Sequence, residues 1–68
     1  MDKERFICLF NKYLNDGFEN MDIELNNGST ITFNKKCMLY RFLGGELQIS
    51  TSGLLIQIDY RIIKGIAI

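Results

Sequence analysis

The chain has 68 residues, a formal net charge of zero, two cysteines, and neither histidine nor proline. That length gives one small domain, 1–68, whose core is marginal unless a disulfide, a metal or self-association supports it. The absence of histidine excludes Ser-His-Asp and Cys-His nucleophiles, two cysteines are too few for structural zinc, and neutrality excludes nucleic-acid binding through bulk charge.

The first element is a helix over about residues 3–16. Phe6, Leu9, Phe10, Tyr13 and Leu14 recur at the spacing of one helical stripe. Asp2 is placed to cap the N-terminus, Glu4 lies at the positive end of the dipole and Lys12 toward the negative end. Gly17 suits the left-handed position past the last turn, and Phe18 beyond it can fold back on Tyr13.

From residue 21 the period becomes two. Met21, Ile23 and Leu25 alternate with Asp22, Glu24 and Asn26, and Asn26-Asn27-Gly28 supplies a tight hairpin turn. Ile31 and Phe33 return along the inner face. Residues 30–42 are then either one bent strand or two strands parted at Asn34-Lys35-Lys36. Gly44-Gly45 turns the chain, Leu47 and Ile49 mark the next inward face, and Thr51-Ser52-Gly53 turns it again. In residues 54–68, Leu54, Ile56, Ile58, Tyr60 and Ile62 form one apolar face. Lys64-Gly65 interrupts the pattern and Ile66-Ala67-Ile68 completes it, with the junction of the two closing strands near residues 63–65. So apolar an ending has to be covered by its own sheet or by a neighbouring copy, which predicts a homo-oligomer. Leu55, Ile63, Ile66 and Ile68 are the candidate interface residues.

These elements predict a mainly β domain with an N-terminal α-helix and antiparallel strands over about residues 21–68. Curling them into a small five-stranded barrel would remove the exposed edges. Cys8 and Cys37 lie in apolar runs and are expected as buried free thiols, with a Cys8–Cys37 disulfide as the alternative. No stretch reaches the roughly 18 apolar residues of a membrane span, and the first ten residues lack the pattern of a signal peptide. The expectation is a cytoplasmic protein with no membrane contact.

Helix, Asn27-Gly28 hairpin, and the closing run Ile58-Asp59-Tyr60-Arg61-Ile62-Ile63-Lys64-Gly65-Ile66 together resemble the Sm-like family, especially its bacterial Hfq branch. The resemblance implies an Sm/SH3-like barrel in which a short helical turn joins the last two strands. It also implies a homo-oligomeric ring that grips single-stranded RNA. Carried over residue by residue, Tyr60 and Arg61 match the family's aromatic and basic positions. The chain departs from the pattern at Phe33, Met38-Leu39 and Ile62, where the family has glycine, Phe-Asp and histidine.

Charge is segregated. Lys3, Arg5 and Lys12 face Asp2, Glu4, Asp16, Glu19, Asp22 and Glu24 in residues 1–34, a balance of −3. Lys35, Lys36, Arg41, Arg61 and Lys64 against Glu46 and Asp59 give +3 in residues 35–68. Stacking planes and cations are what single-stranded RNA requires, so Tyr60, Arg61, Lys64, Arg41 and Tyr40 are the candidate RNA-binding residues. Core packing is the competing reading for the tyrosines. Asp2/Glu4 and Asp22/Glu24 are solvent-facing or dipole-complementing pairs, Gly44-Gly45 is too short for a phosphate loop, and no cofactor, metal or catalytic set is expected. The expected function is a non-enzymatic RNA-binding ring. The alternative is an interaction module that docks on a protein partner through its apolar C-terminal strand. Its wealth of Ile, Asn and Lys points to an AT-rich genome and a phage or mobile-element accessory.

Overall fold

The computed structural model describes residues Met1–Ile68. Helix α1 (Lys3–Asn15) precedes β1 (Asn20–Leu25), β2 (Thr30–Asn34), β3 (Leu39–Phe42), β4 (Glu46–Thr51) and β5 (Leu54–Asp59). A single 3-10 turn (Tyr60–Ile62) leads into β6 (Ile63–Ala67).

The helix ends follow from the residues the sequence places there. The Asp2 carboxylate accepts from the Arg5 N–H at 3.3 Å. At the other end Gly17 adopts φ +93°. Its N–H donates to the Leu14 carbonyl and the Phe18 N–H to the Tyr13 carbonyl, both at 3.1 Å. This is the paired-bond termination that a glycine permits, completed by the expected Tyr13–Phe18 ring contact at 6.1 Å. Phe6 and Phe10 are the fully buried members of the stripe. Tyr13 and Leu14 pack at its margin, and Ile7 joins them there.

The strands form two three-stranded antiparallel sheets, sheet I in the order β2-β1-β6 and sheet II in the order β3-β4-β5. The expected closed barrel does not form, because no strand pair joins the sheets. The break is the turn after Asn34. The Asn34 carbonyl accepts from Cys37 and Met38 N–H groups, and its side-chain oxygen accepts from the Lys36 N–H at 2.9 Å. Backbone groups that would extend the ladder from β2 into β3 are thereby used in the turn, leaving β2, β3, β5 and β6 each with a free edge.

The hairpins are of two kinds. At Asn26-Asn27-Gly28 only Gly28 is left-handed, at φ +88°. The loop is a three-residue turn closed by Leu25 N–H to Ser29 O at 2.9 Å. At Ser52-Gly53 both residues have positive φ, +40° and +83°, the twist-compatible two-residue turn between the paired Thr51 and Leu54.

The junction of the last two strands lies at residues 60–62, three residues earlier than the sequence pattern places it. Asp59 caps the turn, its carboxylate accepting the Arg61 N–H at 2.9 Å. Asn26 holds it from the hairpin, its backbone N–H donating to Ile62 O at 2.8 Å and its side-chain amide to Arg61 O at 3.2 Å. In a 3-10 turn residues i and i+3 share one side. Tyr60 and Ile63 therefore face inward, and Ile62, assigned to the apolar face by strict alternation, is 47% exposed. Lys64 is the unpaired residue of a bulge, since Glu24 pairs with Gly65 and Leu25 with Ile63.

The core comprises Phe6, Phe10, Met21, Ile23, Phe33, Leu47, Ile49, Ile58, Tyr60 and Ile63, without a buried polar or charged residue. Aromatic rings join its parts. Phe10 lies 5.1 Å from Phe33 of sheet I and 5.6 Å from Phe42 of sheet II, and Phe6 lies 5.8 Å from Tyr60. Truncating Phe10→Ala removes this bridge and leaves a cavity, with an expected loss of about 3–5 kcal/mol. Urea denaturation measures it. A loss no larger than that of a surface substitution would show that the ring is not what couples the sheets.

Candidate functional site

The 3-10 turn and its surroundings build the one concavity on the surface, an open hollow of about 300 Å³ lined by Lys3, Gly44, Gly45, Asp59, Tyr60 and Arg61 among others. Its polar groups are already engaged. The Arg61 guanidinium grips the Asp59 carboxylate through Nε at 3.1 and 3.2 Å and Nη2 at 2.7 Å. The Lys3 ammonium lies over the Tyr60 ring, 5.9 Å from its centroid. Tyr60 Oη donates to Leu43 O at 3.4 Å. The Met1 amino group donates to the carbonyls of Tyr60 and Ile63 at 2.9 and 2.6 Å. Hydrogen bonds from the Arg61 side chain and backbone hold the Asp59 carboxyl down at about 2, and the same partner raises the pKa of Arg61. Burial, then the Glu46 charge, raises that of Tyr60.

The five candidate RNA-binding residues fall into different settings. Tyr60 is a core residue, 3% exposed, so its ring offers no free face for stacking. Arg61 is fully outward, with 89% of its side chain exposed, but carries the ion pair to Asp59. Tyr40 lies at the open end of the core, 37% exposed, with its ring 4.9 Å from Phe10 and 5.7 Å from Phe33. Arg41 follows it on the opposite face of β3, exposed, and Lys64 is exposed on β6. The chain's two ion pairs are Lys36–Glu19 and Arg61–Asp59, so Arg41 and Lys64 are the unpaired cations of the set.

Of the four candidate interface residues, Leu55 and Ile68 are exposed at 53% and 61%. Ile66 is half-buried and packs on the core. Ile63 is buried at 1% because the 3-10 turn rotates it inward, so its side chain is withdrawn from any interface. Sequence reasoning missed Leu39, 74% exposed, and placed Leu54, 58% exposed, on the buried face. Cys8 and Cys37 are free thiols, as expected, but both are exposed. Two residues after buried Phe6, Cys8 stands on the other side of the helix, a signal available in the stripe itself. No three of its Cys, Asp and Glu side chains come together as a metal-binding set. No helix is long and apolar enough to cross a membrane.

Because the folded-state pKa of Asp59 lies below its ordinary 3.8, the Asp59–Arg61 contribution to stability is present above about pH 4 and is lost as pH falls toward 2. Carboxyl-detected NMR titration should place the Asp59 midpoint at about 2, and Arg61→Ala should return it toward 3.8. An unmoved midpoint in that variant would refute the pairing.

No family model matches this chain, and neither the curated proteins nor the solved structures contain a significant match to it.

Proposed function

We propose that the chain is a small non-enzymatic Sm-like protein that assembles with copies of itself into a ring and binds single-stranded RNA. The observation that carries this reading is the pair of free edges on β5 and β6, one at the end of each sheet. They are six and five residues long and bear exposed or half-exposed aliphatic side chains. In an antiparallel seam registered with Leu54 of one copy opposite Ile68 of the next, Leu55 would meet Ala67 and Ile56 would meet Ile66. Apolar groups meet along that half of the seam, and a parallel arrangement would part them. A contact from one edge to a different edge is heterologous and closes into a ring when its rotation permits.

The order of pairing supports the Sm-like part of the reading. Sheets β6-β1-β2 and β3-β4-β5 follow the strand order that such a barrel would have if opened at residues 35–38, and a helical turn separates the last two strands. RNA binding draws support from the unpaired cations Arg41 and Lys64, which a ring would repeat around its circumference. The exposed leucines Leu54 and Leu55 on β5 favour a second reading, docking on a different protein by adding a strand to the β5 edge.

Light scattering on a dilution series should give the mass of a closed oligomer, and Leu54→Asp, at an exposed position, should dissociate it without altering the circular dichroism. A stable monomer at all concentrations removes the ring and leaves the docking module. Gel shifts with uridine-rich and adenine-rich oligonucleotides at low salt test the second part. Absence of binding tighter than about 10⁻⁴ M, the weak end of nonspecific association, would end the RNA reading.

A further inference from the structure

Lys64 is the extra residue of the β6 bulge, between Ile63, paired with Leu25, and Gly65, paired with Glu24. Ile63 is buried and Ile66 packs on the core. The two residues between them therefore both fall on the outer side of sheet I, where Lys64 is exposed. Neither ion pair of the chain includes it. Glu24 on the neighbouring β1 extends across Gly65, its Oε1 3.7 Å from where a Cβ would stand, without an ion pair to Lys64. Sheet II ends in an acidic pair, Glu46 on β4 in register with Asp59 on β5. Alternation with the buried Leu47 and Ile58 turns both outward. The other charges around that pair have partners. Arg61 grips Asp59, Asp2 caps the helix, the Lys3 ammonium lies over the Tyr60 ring and the Met1 amine bonds two carbonyls. Glu46 has no ion-pair partner.

We infer that Lys64 fixes the register of self-assembly by forming an ion pair with Glu46 of the next copy. The inference rests on the ring reading above and names the residues that select its seam. It also withdraws Lys64 from the cations left for RNA. In the antiparallel seam with Leu54 opposite Ile68, Gln57 meets Gly65, both outward, and the bulge lets Ile58 meet Ile63, both inward. Lys64 then stands on the outer face between Gln57 and Asp59 of the next copy. Glu46 lies one strand further in, two strand spacings or about 10 Å from β6. The four-carbon lysine stem and the glutamate side chain span that distance together. The seam is thus complementary at both ends, apolar at Leu54 and Ile68, charged at Glu46 and Lys64. Slips of two residues are the smallest that keep each face. One sets Lys64 between Leu55 and Gln57 and loses the pair. The other carries it past Asp59 toward Arg61, a like charge, and leaves Leu54 without a partner.

Sedimentation of the whole chain at low salt tests the pair. Lys64→Glu and Glu46→Lys each set like charges across every seam and should raise the concentration needed for assembly about tenfold or more. Mixed one to one, the two variants should assemble again, because alternating copies restore opposite charges at each seam. Lys64→Ala, at an exposed position, should weaken assembly, and it decides the case by itself should a charge reversal prevent folding. Circular dichroism establishes which variants fold. If Lys64→Ala leaves assembly unchanged or strengthens it, Lys64 is the protective charge common on free strand edges and the pair is overturned. If the parent assembles and the folded charge reversals assemble equally well, or their mixture does not recover, the pair falls while the ring stands. If the parent is a monomer at all concentrations, both fall.

Discussion

The fold depends on one aromatic contact set. No strand joins the two sheets, so their relation is fixed by side chains, and Phe10 of the helix is central to that arrangement. Its ring meets Phe33 on one sheet and Tyr40 and Phe42 on the other. Phe6, one turn earlier, extends the cluster to Tyr60 at the start of the 3-10 turn. Tilted and edge-on ring pairs at these distances add attraction beyond the area they bury. The helix thus has an architectural task that its sequence alone does not reveal. It takes the place of the ladder hydrogen bonds that a closed barrel would have supplied.

That substitution shapes what the surface can do. Tyr60 is needed inside, where Phe6 packs on its ring, and the 3-10 geometry that sends it inward also buries Ile63 and turns Arg61 and Ile62 out. Arg61 then stands two residues from Asp59, and the bidentate pair follows from local geometry rather than from any ligand. The hollow beside it is a closed set of internal contacts. Backbone groups without a partner strand lie instead along the outer edges of β5 and β6.

A domain this small, with ten core residues, has little stability in reserve. Four free strand edges on such a body attract pairing by other chains. The exposed aliphatic residues near β5 and β6 give those edges side-chain contacts to match their backbone groups. The Lys64 bulge, by contrast, disturbs regular pairing near the start of β6. An edge that is apolar at one end and irregular at the other favours one pairing register over the rest.

Much of this was legible in the chain. The helix and both its ends, the period-two strands and the glycine turns all follow from interactions within a few residues, and local chemistry determines these. Phe6, Phe10, Met21, Ile23, Phe33, Leu47, Ile49 and Ile58 could be named as core from period alone. The rest depended on contacts between distant segments. Asn26 anchors the turn at Arg61 and Ile62, and that contact across 35 residues moved the closing junction and reversed the faces of Ile62 and Ile63. Strand register likewise sets Arg41, Gln48 and Gln57 side by side, although they are distant along the chain. Which segments bend, alternate and turn is set by neighbouring residues. Closure of the sheet and the choice of polar groups left free are not, because both depend on competition for backbone and side-chain partners that are remote along the chain.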